Sequence, residues 1–293
     1  MNTKTKTKTQ IPSVNFHLWE PCNFSCKYCF ATFQDVRKTI LPKGHLSKED
    51  ALELVNKLAN AGFSKITFAG GEPTLCPWIE DLIINAKAKG LVTMIVTNGT
   101  RINENFLSKV DGNLDWVVFS IDSITPQINK EIGRYQGLKI IPNQNFYFEK
   151  IQQVRRHGIK LKINSVINKK NINDKGLVEF ISLLQPERWK LFAPLRIIGQ
   201  NDVYFDEVNV SQAEFENYLM LNEVHKLSFA VTEDNIAMTG SYIMIDPAGR
   251  FFDNTKGTHT YSKPILHVGV NTALEEISYD YDQFLERGGL YEF

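Results

Sequence analysis

No charge of either sign is in excess, for 33 basic side chains balance 33 acidic ones. A broad field that would recruit nucleic acid or an anionic membrane surface is thereby excluded, and any anion site must be local. No apolar run reaches transmembrane length, and the opening MNTKTKTKTQ repeats polar residues where a secretion signal needs an apolar stretch. The protein is expected to be soluble and cytoplasmic, with no membrane and no nucleic-acid partner. Residues 1–12 have nothing to bury and repel one another, so they are expected to form a disordered tail. Cysteine is scarce too, with four residues in 293. Three of them fall within eight positions, in EPCNFSCKYCFA, and in a reducing cytosol clustered cysteines point to metal before disulfides.

What is present is a chain with 43% hydrophobic residues, enough for a sizeable core. From residue 13, short β-rich runs alternate with helical segments; strands are expected at 13–18, 65–69, 93–97, 116–121, 160–166 and 188–193. Helices are expected between them: SKEDALELVNKLANAG opens with Ser47 as N-cap and stops at Gly62, and others span 78–89 and 145–157. Recurring βα units imply parallel strands with right-handed crossovers. The expected fold is α/β, a partial (β/α)6 barrel over residues 13–195. A C-terminal extension, 196–293, carries one helix, 211–223, and a strand pair in SYIMIDPAGRFF turning at Pro247 to Gly249.

The spacing CxxxCxxC places Cys22, Cys26 and Cys29 on one tight loop after the first expected strand. Three thiolates without a fourth make an incomplete tetrahedral zinc site but suit a [4Fe-4S] cluster with one open iron. An open iron can chelate the amino and carboxylate groups of S-adenosylmethionine, whose reductive cleavage gives a 5′-deoxyadenosyl radical. Structural zinc completed by His17 or His45 is the other reading of this spacing. AGGEP, at 69–73, follows the second strand, where glycines allow close backbone approach and strand ends carry the site of a barrel. Cys76 lies outside the spacing and reads as a small buried thiol.

Taken together, CxxxCxxC and GGEP resemble the radical S-adenosylmethionine (radical SAM) superfamily. That resemblance implies that Gly70, Gly71 and Glu72 contact the methionine amino end, that Tyr28 lies against the adenine, and that Thr97 and Asn98 of TNG lie near the ribose. Ser120 of FSIDS and Arg134 of IGRYQG complete the implied cofactor set, the arginine pairing with the methionine carboxylate.

Strand alternation gives a substrate clue of its own. In a βα barrel the outward face of each strand packs on helices, and the inward face fills the centre. With Val14, Phe16 and Leu18 outward, Asn15 and His17 point in; with Ile66 and Phe68 outward, Lys65 and Thr67 point in. By the same rule KLKINSV sends Lys162 and Asn164 inward, and RWKLF sends Arg188 and Lys190 inward. Lys65, Lys162, Arg188 and Lys190 then share one cavity, which requires an anion, and a polyphosphate is the natural one. His17, Thr67 and the two asparagines can hydrogen-bond a sugar or base.

KINSVIN (162–168), RWKLF (188–192), IGRYQG (132–137), SYIMID (241–246) and FLERGGLYEF (284–293) resemble viperins, from about Val14 onward. The resemblance implies removal of the C4′ hydrogen of a ribonucleoside triphosphate and loss of its 3′-hydroxyl, giving a 3′-deoxy-3′,4′-didehydro nucleotide that terminates viral chains. It places Asn15, Lys65, Lys162, Asn164, Arg188, Lys190, Tyr242 and Lys256 on nucleotide-binding positions, the last two in an extension that closes over the nucleotide. Implied partners are CTP, UTP or GTP, an electron donor such as flavodoxin or ferredoxin, and iron–sulfur assembly proteins. The amphipathic membrane helix of animal viperins has no counterpart here, which implies a soluble, microbial-type member. Ala69 before GGEP and FFDNTKG around Lys256 also depart from the animal pattern, leaving base choice open. Two other functions compete: a radical SAM enzyme acting on a peptide or on the ring of GTP, and a zinc-stabilised binding module.

Overall fold

The computed structural model describes residues 11–137 and 139–292, so most of the expected tail, up to residue 10, lies outside the described residues. Among them, the strands are β1 (Ser13–Trp19), β2 (Lys65–Gly70), β3 (Val92–Thr97), β4 (Trp116–Ser120), β5 (Lys160–Val166), β6 (Arg188–Phe192), β7 (Ala230–Glu233), β8 (Met244–Ile245), β9 (Arg250–Asp253) and β10 (Thr260–Pro264). They form one sheet in the order β10-β9-β8-β1-β2-β3-β4-β5-β6-β7. All neighbours from β8 through β7 pair in parallel, and β8-β9-β10 is an antiparallel meander. The two ends of the order do not pair, so the barrel is partial, as expected.

The extension builds no separate sheet. Its residues add β7 to one edge and β8 to β10 to the other. Ile11 and Pro12, expected in the tail, are packed beside β1: Ile11 is fully buried, and the Pro12 carbonyl accepts from Ser64 N at 2.9 Å. An isoleucine beside the first strand has apolar area to bury, which the Thr/Lys repeat lacks.

Helix starts follow local chemistry. Ser47 accepts from Asp50 N at 3.1 Å, Asn143 from Phe146 N at 2.9 Å, and Ser211 forms a reciprocal box with Glu214. The helices Lys48–Asn60, Ile79–Ala88 and Gln144–Arg156 bury Leu54, Leu58, Ile83, Ile151 and Val154 against the outward strand residues Val14, Phe16, Ile66, Phe68, Leu161 and Trp189. That leaves the opposite faces of the strands for the site. Register stacks Val118, Lys162 and Arg188 across β4, β5 and β6, and Ser120, Asn164 and Lys190 one step higher. Among the described residues, no helix is long and apolar enough to cross a membrane.

Candidate active site

The cysteine loop follows β1 and is clamped from two sides. On one side Gly71 N donates to Trp19 O at 2.5 Å and Glu72 N to Pro21 O at 3.0 Å. A Cβ on Gly71 would stand 2.2 Å from Glu20 O, so only glycine permits this approach. On the other side Ser25 N and Lys27 N donate to the carbonyls of Gly133 and Ile132, and a Cβ on Gly133 would stand 2.1 Å from Ser25 O. The loop holds Cys22 exposed and Cys26 and Cys29 half-buried, all as free thiols. Partial desolvation of the sulfurs pushes all three up, Cys29 to about 11, and the nearby Cys26 charge adds to the rise at Cys22 and Cys29.

Among the described residues, no three His, Cys, Asp or Glu side chains stand close enough to hold a metal ion as they are. The donor set nonetheless fits a three-thiolate cluster and not zinc completed by histidine. The thiols lie within each other's electrostatic reach, whereas His17 is boxed by Phe30, Phe33 and Phe252 and His45 stacks on Trp19 with Nδ1 on Leu46 O. Neutral thiols of raised pKa become ligands when a metal takes their protons.

Around this loop the expected cofactor residues come together, with partners the sequence did not reveal. The buried Glu72 carboxylate accepts from Thr74 N, Thr97 Oγ1 and Asn98 N at 3.0, 2.8 and 2.7 Å, which ties the GGEP turn to the TNG turn after β3. Asn98 Nδ2 reaches Asn23 of the cysteine loop at 2.8 Å. Arg134, expected to meet a methionine carboxylate, pairs with Asp122 at 3.1 Å and donates to Ser120 O at 2.6 Å and Cys26 Sγ at 3.7 Å. Tyr28 is buried and donates its hydroxyl to the same Asp122. Asp122 was not anticipated, because its partners lie twelve or more positions away.

Deeper in the barrel the inward cations converge. Lys65, Lys162 and Lys190 are buried, and Arg188 is half-buried. Tyr291 from the C-terminal segment lies across three of them, its ring centroid 4.5 Å from Lys65 Nζ, 5.6 Å from Lys162 Nζ and 4.3 Å from the Arg188 guanidinium. Burial, then the neighbouring cations, holds Lys65 and Lys162 well below the usual lysine value. Glu233 at the end of β7 is fully buried; its carboxylate accepts from Lys190, from Tyr242 and, at 3.2 Å, from Arg287. Burial alone would raise Glu233, but Lys190 and Arg287 outweigh it and hold the group at about 2. Lys190 is pushed down to about 8 by burial, against the pull of Glu233.

Thr67 is buried, Asn15 is half-buried, and Asn164 Oδ1 and His17 Nδ1 are buried without a hydrogen-bond partner among the described residues. Tyr242 joins the cations, with its hydroxyl 3.3 Å from Lys190 Nζ. Lys256 does not: it lies exposed on the turn between β9 and β10. The resemblance around FFDNTKG is weakest there, and a turn residue carries no strand period to place it. Cys76 is buried in the helix-facing core, as expected.

Residues 19–184 match the Radical SAM superfamily. The chain is 51% identical to an S-adenosylmethionine-dependent nucleotide dehydratase of Flammeovirga pacifica, covering all of both chains. It is 33% identical to the S-adenosylmethionine-dependent nucleotide dehydratase RSAD2 of Danio rerio, over 97% of this chain and 78% of that one. Among solved structures, Streptococcus suis SuiB bound to S-adenosylmethionine superposes with a TM-score of 0.62 at 16% identity, over 82% of this chain and 59% of that chain. At that identity the likeness concerns the fold alone.

Proposed function

The chain belongs to the S-adenosylmethionine-dependent nucleotide dehydratases of the radical SAM superfamily, and from that premise we propose that it converts a ribonucleoside triphosphate to its 3′-deoxy-3′,4′-didehydro analogue. Cys22, Cys26 and Cys29 would hold a [4Fe-4S] cluster. With S-adenosylmethionine bound and one electron from a low-potential donor, that cluster would supply a 5′-deoxyadenosyl radical for removal of the C4′ hydrogen of the ribose.

The observation that carries the substrate assignment is the concentration of Lys65, Lys162, Arg188 and Lys190 on the inner faces of β2, β5 and β6. Buried lysines held well below their usual value keep their charge only beside an anion. A polyphosphate supplies several negative charges in a row. Phosphates held there leave the sugar between the cations and the cysteine loop, where Asn15, Thr67, Asn164 and His17 offer hydrogen bonds. Glu72, Thr97, Asn98, Gly70, Gly71, Tyr28, Ser120 and Arg134 are assigned to S-adenosylmethionine on the cysteine-loop side. This separation fixes which ribose carbon faces the radical, because hydrogen transfer needs near-contact geometry.

A low-potential electron donor, a flavodoxin or ferredoxin, and iron–sulfur assembly proteins complete the proposal. Its place is the cytoplasm, whose reducing conditions keep four free thiols unpaired. The test is anaerobic turnover with CTP, UTP and GTP carrying deuterium at C4′ and, in separate samples, at C3′ or C5′, with label at C4′ alone expected to transfer. Label should pass into 5′-deoxyadenosine; transfer from C3′ or C5′ instead, or none from any nucleotide, would overturn the assignment.

A further inference from the structure

The barrel's charged groups divide into two sets. Glu233 bonds Lys190, Tyr242 and Arg287 at once, and Tyr242 also meets both cations directly. Lys190 Nζ lies 3.3 Å from the Tyr242 hydroxyl, and the Arg287 guanidinium lies 3.6 Å from the Tyr242 ring centroid. Arg287 also donates to Ser241 O at 2.8 Å, next to Tyr242 in the chain. Lys65, Lys162 and Arg188 each meet the ring of Tyr291.

Glu233 is a strange neighbour for a polyphosphate. A carboxylate inside a cation chamber repels the ligand the chamber attracts, and it neutralises a lysine that would otherwise bind it. Its place is therefore explained by what it holds. Lys190 is fixed on β6 level with Asn164, facing the inner barrel, and Tyr242 comes from the loop before β8. Without a shared anion, two cations and a phenol from three distant segments would separate, the cations by repulsion.

We propose that Glu233 is a positioning residue for the dehydration: it keeps Lys190 and Tyr242 as a fixed pair beside the ribose and leaves the phosphate grip to Lys65, Lys162 and Arg188. This rests on the dehydratase assignment above. It narrows the phosphate site assigned above from four cations to three and gives Lys190 a separate role.

Steady-state kinetics of the cluster-loaded enzyme, with whichever of CTP, UTP and GTP it turns over, provides the test. Glu233→Gln keeps the shape and removes the charge. It should lower kcat at least tenfold while KM stays within threefold or falls, because a released Lys190 can join the phosphate grip. Lys162→Ala should do the reverse, raising KM at least tenfold with a smaller change in kcat. Should Glu233→Gln fail to fold, as judged by circular dichroism, Tyr242→Phe removes the hydroxyl bond to the carboxylate and carries the same expectation. A kcat within threefold of the unmodified enzyme, or a KM raised tenfold or more, overturns the positioning role. No turnover by the unmodified enzyme with any of the three nucleotides would instead overturn the dehydratase assignment.

Discussion

At the scale of single residues, two kinds of cysteine share the chain, and the environment of each decides its role. Cys26 lies on a loop with two further thiols and an arginine 3.7 Å from its sulfur, whereas Cys76 is packed among Leu82-type core residues at 2% exposure. Replacing Cys22, Cys26 or Cys29 by alanine should abolish iron binding, since two thiolates cannot hold the cube. Cys76→Ala should retain full iron and cost on the order of 1 kcal/mol of stability. Iron and sulfide analysis after anaerobic reconstitution checks this, and loss of iron in Cys76→Ala equal to that in Cys26→Ala would refute the ligand assignment. Lys162 allows a second residue-scale prediction. A charge-assisted contact to phosphate is worth about 1.5–3 kcal/mol, so Lys162→Ala should weaken nucleotide binding by about 10- to 150-fold with iron content unchanged. Calorimetric titration with the preferred triphosphate measures it, and an affinity within threefold of the unmodified protein would remove Lys162 from the phosphate site.

At the scale of elements, the cysteine loop is shaped by turns that lie far from it in sequence. Gly133 has φ of +83° and leaves no room for a Cβ beside Ser25 O. Gly133→Ala therefore meets both backbone strain and a clash, with a cost of about 1–3 kcal/mol for the strain alone. It should lower the melting temperature and iron occupancy together, because two backbone bonds from the cysteine loop end on residues 132 and 133. Retention of both would show that the turn is not a clamp. The inner faces of β1, β2, β5 and β6 were legible in the sequence because a polar or charged residue at every second position stands out against a hydrophobic partner face. β7 was not, since AVTE is four residues long and carries little period. With β7 went Glu233, and with the loose pattern after residue 195 went Arg287. Their bonds span 43 and 54 positions, and no local signal encodes a pairing of that length. Asp122 escaped for the same reason, although FSIDS had marked its neighbourhood.

At the scale of the whole molecule, the proposed nucleotide chamber is expected to couple binding to protons. Among the described residues, Lys65, Lys162, Arg188, Lys190 and Arg287 share the chamber with one carboxylate, Glu233, which pairs with Lys190 and Arg287. Burial and mutual repulsion hold Lys65 and Lys162 well below the ordinary lysine value and bring Lys190 to about 8. The sign follows directly. A lysine with a lowered folded pKa binds fewer protons in the folded protein than in the unfolded chain, so in the absence of an anion stability rises with pH through the interval between the two values. A polyphosphate reverses that interval by favouring the charged form, and binding must then take up protons. Affinity for the triphosphate should accordingly fall as pH rises through the alkaline range, beyond any change in the nucleotide itself. Titration calorimetry at about pH 8, where the terminal phosphate is already fully ionised, isolates the protein's share. Repeated in buffers of different ionisation enthalpy, it should report net proton uptake, reduced in Lys162→Ala. Glu233 acts in the opposite range: held at about 2, its contribution to stability is complete above the ordinary carboxylate value and is lost as pH falls toward 2. Zero uptake or proton release at pH about 8 would mean that the lysines are already charged before the nucleotide arrives, and the anion would then be bound by a chamber preset to receive it.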